Sequence, residues 1–115
     1  GNMEALYDLL HPDCVFISPV VHTPQEGREI TYAYLRAANK ALSEDFQYVR
    51  EVVQDNHAVL EFTVKVDGIF VNGVDIITFE GDQIVELKVM VRPLKAVNAV
   101  WKQMGEMLEQ LKVAS

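Results

Sequence analysis

The chain has 115 residues, half of them apolar and 23% charged, which argues for one folded domain with its own core rather than a disordered segment. Seventeen acids against ten bases leave a net charge of −7, so the basic stripe that nucleic acid or an anionic membrane surface requires is missing. The expected partner is a small neutral or apolar molecule, or another protein chain.

No apolar run approaches the roughly 20 residues of a membrane helix. The start has neither a basic region nor an apolar stretch, so no signal peptide is expected and the expected compartment is the cytoplasm. A single cysteine, Cys14, can form neither an internal disulfide nor a cysteine-rich metal site. At the head of an apolar strand it reads as a small core residue.

Met3, Leu6, Tyr7 and Leu10 fall on one helical face, which predicts a short helix over 3–10. His11-Pro12 stops it, because the residue before proline is pushed out of the α region. His11 is read as capping that helix end. Cys14 to Ser18 reads as a short strand ended by Pro19. Thr23-Pro24-Gln25-Glu26 has the form of a capping box, and Gly27 offers an alternative helix start. Either way a helix runs to about Ser43, with Ile30, Tyr34, Ala37 and Ala41 as its buried stripe.

Four strands follow. The first is Phe46 to Val53. The second alternates Ala58, Leu60, Phe62, Val64 and Val66 against Val59, Glu61, Thr63 and Lys65. Asp67-Gly68 is a strong hairpin turn. The third runs from Ile69 to Glu80, with a bulge or kink expected at Asn72-Gly73. Gly81-Asp82-Gln83 turns the chain into Ile84 to Arg92, where Leu87, Val89 and Val91 alternate with Glu86, Lys88, Met90 and Arg92. Lys88 and Arg92 are read as pairing with Glu61 or Glu86 on the outer surface. Pro93 suits the start of a last helix with Leu94, Val97, Trp101, Met104, Leu108 and Leu111 as its packed stripe. Helices segregated to one side of an antiparallel meander make an α+β fold.

Leu10-His11-Pro12-Asp13-Cys14-Val15-Phe16-Ile17-Ser18-Pro19-Val20 is followed by Gly27-Arg28-Glu29-Ile30 opening a helix. Later come Gly73-Val74-Asp75-Ile76-Ile77-Thr78-Phe79, Ile84-Val85-Glu86 and Arg92-Pro93-Leu94. In this order and spacing the chain resembles the SnoaL-like branch of the nuclear transport factor 2-like fold, over about residues 3 to 105. That superfamily includes ketosteroid isomerase, scytalone dehydratase, limonene epoxide hydrolase and polyketide cyclases. The resemblance implies a cone-shaped barrel in which a curved sheet wraps around helices and leaves an apolar cavity. It also implies a homodimer through the outer sheet face. Most of the usual first helix is expected to be missing, and the long last helix to be an addition. Fold does not fix reaction, so the residues must be weighed one by one.

Ketosteroid isomerase places its catalytic base as an Asp immediately before the proline of the first strand, and that position here is Ser18. A serine cannot shuttle a proton between carbons as a carboxylate does. The tyrosine donor of that family's first helix has no counterpart, and Tyr7 lies on a different element. Asp75 does match the position where that family keeps a protonated Asp. The alignment turns its face, shared with Ile77 and Phe79, toward the cavity. A carboxyl among Phe62, Leu87, Val89 and Val91 would be desolvated, its pKa raised, and able to donate a hydrogen bond to a ligand oxygen. The alternative is a carboxyl satisfied by a nearby backbone group or by water at the rim.

His22 follows the first strand near the expected mouth and could be a base or a polar contact, or an ordinary loop histidine. Tyr34 and Tyr48 could line the cavity with hydroxyls, or pack with the hydroxyl reaching the surface. Phe16, Ser18, His22, Tyr34, Phe62, Leu87, Val89, Val91 and Trp101 are the expected ligand-binding residues, with Asp75 as the candidate catalytic group. Trp101 and Met104 could instead plug the cavity. The three histidines are isolated in sequence, so no metal and no cofactor are expected. Three readings follow. The protein binds a small apolar ligand. It is an isomerase, dehydratase or cyclase using Asp75 for proton transfer. Or it is a dimeric accessory module with an incidental cavity.

Overall fold

The structure, a computed structural model, describes residues 3–20 and 22–114, with side chains described for 4–20 and 22–106. The element order is α1 (Met3–Leu9), β1 (Leu10–Ile17), β2 (Gln25–Glu26), α2 (Arg28–Ala41), β3 (Glu44–Gln54), β4 (His57–Val66), β5 (Ile69–Glu80), β6 (Gln83–Arg92) and α3 (Leu94–Ala114). One six-stranded sheet has the order β2-β1-β6-β5-β4-β3. It is the curved, unclosed sheet of an α+β cone, and α2 and α3 pack against its inner face.

The chain passes from α1 straight into β1. His11 and Pro12 therefore lie within the strand rather than between elements. Leu10 pairs with Ile84 and Val15 with Glu86, so β1 carries a long bulge between them. A proline without an N–H is tolerated there because the bulged residues are out of the ladder. The His11 Nδ1 accepts the Asp13 N–H at 3.0 Å, which is a turn contact and not the helix cap expected of it.

Gly27 decides where α2 begins. Its φ of 107° is open to glycine and strained for other residues. The Gly27 N–H donates to the Cys14 carbonyl at 2.8 Å, tying the helix start to β1. Thr31 returns both its N–H and its hydroxyl to the Gly27 carbonyl. The capping box at Thr23 does not form, because Gln25 and Glu26 are drawn into β2 against Phe16 and Val15. The buried face of α2 is Thr31 and Ala37, flanked by Tyr34, Ala38 and Ala41. Ile30, expected in that stripe, is 38% exposed.

Three two-residue turns build the meander. Asp67 and Gly68 both have positive φ, 53° and 78°, as a type I′ turn demands. Asp55-Asn56 and Gly81-Asp82 close the hairpins on either side. The register breaks lie between Glu44 and Gln47 and between Tyr48 and Arg50 on β3, and between Thr78 and Phe79 against β6. Such breaks bend a sheet.

No break falls at Asn72-Gly73, where a bulge was expected: Asn72 pairs with Thr63 and Gly73 with Phe62 without a shift. Gly73 has a different physical reason. A Cβ built there would come within 2.4 Å of the Phe62 ring. The ring lies over the bare backbone, and Phe46 stacks on that ring in turn, 5.3 Å away and 17° from parallel.

The inner face carries two buried clusters. One joins Phe62, Val64, Val66 and Val71 to Ala37, Ala96, Val100 and Met104. The other holds Leu10, Cys14, Phe16, Ile84 and Leu87. Tyr34 packs against both. The packed stripe of α3 is Ala96, Val100 and Met104; Met104 was expected there, whereas Ala96 and Val100 stand one step around the helix from Val97 and Trp101. Leu94 and Trp101 are 74% and 62% exposed. Ala37, Ala38, Ala96 and Ala99 all belong to or pack against the cluster where α2 and α3 meet. Leu108 and Leu111 lie outside the described side chains.

Gly73→Ala would force the Phe62 ring off the sheet. Overpacking of this kind costs about 1–3 kcal/mol. The urea midpoint of this variant should fall by a corresponding amount, and an unchanged midpoint would show that the ring does not depend on the glycine.

Candidate functional site

Between the two clusters lies a cavity of about 280 Å³. Its sheet wall is Phe62, Val71, Asp75, Val89 and Val91. Phe46 and Tyr48 extend that wall from β3. Leu35, Ala38, Asn39 and Leu42 close it from α2, and Val100 and Met104 from α3. Phe16, Ser18, Pro19 and Val20 bring in the end of β1 and the turn after it.

Pairing defines which side chains share the inner face. Tyr48 stands opposite Phe62, and Phe62 opposite Gly73. One step along the sheet, Glu51 faces Leu60, Leu60 faces Asp75, and Asp75 faces Val89. Asp75 is thus flanked across both ladders by apolar residues. Burial alone pushes its carboxyl up to about 6. Among the described residues no hydrogen bond or ion pair to that carboxyl is present. The residue is half-buried, and no fully buried side-chain polar atom lacks a partner among the described residues, so the carboxyl keeps some contact with water. Groups so shifted concentrate at functional sites.

Tyr48 feels the same environment. Its phenol is raised first by burial and then by the negative charges of Asp75 and Glu51. The tyrosine remains 58% exposed, so it stands at the opening with its hydroxyl within electrostatic reach of Asp75. Ser18 is turned partly toward its own backbone, its Oγ accepting the Val20 N–H at 3.1 Å. A second hollow, about 330 Å³, lies on the outer face between Val52, Val59, Val74 and Met90. It holds the Arg50–Glu61 ion pair at 3.4 Å. That pair, with the Asn72 amide donating to Glu61 at 3.0 Å, replaces the expected pairing of Glu61 with Lys88 or Arg92. We take the inner cavity as the site because only it contains a desolvated acid.

Of the residues expected at the site, Phe16, Ser18, Tyr34, Phe62, Asp75, Val89 and Val91 meet in the cavity. Three do not. His22 is exposed in the turn after β1 and does not line the cavity. Leu87 pairs with Phe16 and Ile77 and fills the second core cluster instead. Trp101 points away from the cavity on the outer side of α3, so it neither contacts a ligand there nor plugs the space. Phe46 was missed, and Tyr48 was weighed but not chosen. Their two-residue spacing was the available signal, since it puts both on one strand face. Leu35, Ala38 and Leu42 form a helical stripe adjoining the one chosen. Among the described residues no group of three or more His, Cys, Asp or Glu is placed to hold a metal. No helix there is long and apolar enough to cross a membrane.

Comparison with known proteins agrees with this fold. The model of the SnoaL-like domain matches residues 1–87. A steroid delta-isomerase from Pseudomonas aeruginosa is 35% identical with a TM-score of 0.92, over 99% of this chain and 84% of that one. A Silicibacter pomeroyi protein described as having a cystatin-like fold is 31% identical with a TM-score of 0.85, over 91% and 74% of the two chains. A proposed SnoaL-like polyketide cyclase from Jannaschia shares the fold at 16% identity and a TM-score of 0.69, over 85% and 77%. No curated protein matches the chain.

The raised acid gives stability a pH signature. Asp75 binds its proton more tightly when folded than the ordinary 3.8 of an unfolded chain. Between about 4 and 6 the native state therefore holds more protons than the unfolded state, and stability falls as pH rises through that window. The contribution is complete below about 4 and lost above about 6, and amounts to at most about 3 kcal/mol. The ionisable groups facing Asp75 are Tyr48 and Glu51 on β3. Asp75→Asn should remove this loss. Its urea midpoint should exceed that of the parent protein at pH 7.5 by more than at pH 4.5, and a gap independent of pH would show that Asp75 is not desolvated.

Proposed function

The chain belongs to the SnoaL-like domain family, and on that premise we propose that it binds a small, largely apolar molecule in the inner cavity, with one ligand oxygen held by the Asp75 carboxyl. One observation carries the reading. A mostly apolar cavity, whose neutral polar lining is Ser18, Tyr34, Asn39 and Tyr48, contains a single carboxyl, raised by burial and without a hydrogen bond among the described residues. In its neutral form that carboxyl is a hydrogen-bond donor buried where water competes poorly. The cavity, about 280 Å³, lies just below the usual range of roughly 300–1,000 Å³ for small-molecule sites.

A proton-transfer enzyme is the second reading, favoured by the name of the 35% identical relative, a steroid delta-isomerase. Asp75 would be its acid, or its base above pH 6. Ser18 supplies no second carboxylate at the position where the resemblance to ketosteroid isomerase calls for one. Asp75 would then have to take a proton from one carbon and return it to another by itself.

We further propose a homodimer through the outer sheet face. Val52, Val59, Val74, Ile76 and Met90 form an apolar centre there, and Val52 and Met90 are each 51% exposed. Arg50, Glu61 and Arg92 form a rim of both signs. Sedimentation should report twice the chain mass, and Val74→Asp should report the chain mass with the fold intact. A parent protein sedimenting as a monomer at micromolar concentration would remove this proposal.

The binding reading is tested by titrating the protein with one- and two-ring ketones at pH 5 and pH 8. A carbonyl oxygen needs the neutral carboxyl, so affinity should fall roughly tenfold for each pH unit above 6. Asp75→Asn, which keeps a donor, should bind with no such fall, and Asp75→Leu should bind more weakly at pH 5. Binding that ignores both pH and Asp75 would sink the assignment.

A further inference from the structure

Five aromatic rings line the cavity, in two groups on different elements. Phe16 on β1 and Tyr34 on α2 are in contact at 5.1 Å and 39°. On the other side, Phe62 on β4 lies over Gly73, Phe46 stacks upon it, and Tyr48 meets Phe46 edge-on at 4.9 Å and 84°. Among the described residues no ring contact joins one group to the other. Ring faces and edges are thus offered from two sides of one space.

The size of that space limits what can lie between them. At about 280 Å³ it falls just below the roughly 300–1,000 Å³ of sites that take drug-sized ligands, which favours a ligand of one or two rings over a four-ring skeleton. Ser18, Tyr34 and Asn39 line the cavity from the β1 and α2 side, while Asp75 sits on the sheet wall with Tyr48 within its electrostatic reach. Asp75 and Tyr48 are both donors to a carbonyl oxygen when neutral.

We propose that the ligand is a planar, aromatic or conjugated carbonyl compound of one or two rings, held between the Phe16–Tyr34 and Phe62–Phe46–Tyr48 groups with its oxygen directed at Asp75 and Tyr48. This deepens the binding reading above and rests on it. A saturated compound of the same skeleton fills the volume but forgoes the ring contacts. Each good contact between rings is worth roughly a few-fold to tenfold in affinity.

The test is calorimetric titration of the full chain at pH 5 with three ketones: 2-acetylnaphthalene, the saturated 2-acetyldecalin, and the four-ring progesterone. The expected result is that 2-acetylnaphthalene binds at least tenfold more tightly than either of the others. Phe46→Leu should narrow its advantage over 2-acetyldecalin to less than threefold. An advantage below tenfold over either competitor overturns the ligand class while leaving cavity binding in place. An advantage that Phe46→Leu does not reduce overturns the aromatic wall as its cause. If none of the three binds at millimolar concentration, this proposal and the binding reading fall together.

Discussion

The packing of Phe62 on Gly73 sets the shape of the site. Phe62 sits on the inner side of the sheet, and one strand away its neighbour carries no side chain. The ring therefore lies against the backbone instead of standing into the interior. Phe46 stacks on that ring, and Tyr48 is held edge-on by Phe46. The close contact at one residue without a Cβ thus fixes three rings from two strands. It also keeps open the space that Asp75 faces from the next row of the same strand.

The second constraint is the divided core. The buried side chains do not close over the sheet as one mass but as two clusters, bridged by Tyr34. Alanines of α2 and α3 lie in or against the cluster where those helices meet, which seals one side. The bulged β1 and its pairing with β6 seal the other. What remains between them is apolar except for Asp75 and a few neutral polar groups. Desolvation there favours the neutral acid. The electrostatics of the site thus follow from the packing, without a partner charge.

The strands were largely legible in the sequence because a period of two is hard to mimic. Ala58–Val66 alternates cleanly, Asp67-Gly68 marks its turn, and β5 begins and ends where expected. The same alternation grouped Asp75 with Ile77 and Phe79, and the family resemblance, not the alternation, turned that face inward. The helix α3 was harder. Its apolar residues cover more than one stripe, and a step of about 100° per residue moves Trp101 from core to solvent. The observed stripe is the one that packs in the cluster where α3 meets α2. His22 failed because a turn residue has no periodicity to place it. Phe46 escaped notice because it stands at the start of its strand, inside the register break between Glu44 and Gln47 that no sequence pattern displays. Gly73 was recognised as special, but the reason lies in a ring eleven residues away in sequence, which no local pattern displays.

The central claim is that burial in the cavity raises the Asp75 carboxyl to about 6, so that it is a neutral donor in mildly acidic solution. Carbon-detected NMR titration of its side-chain carboxyl measures this directly. A midpoint of about 6, as the structure implies, would support the account. A midpoint near the ordinary 3.8 would mean that Asp75 is solvated in solution, and the donor at the heart of the proposed site would be absent at neutral and mildly acidic pH alike.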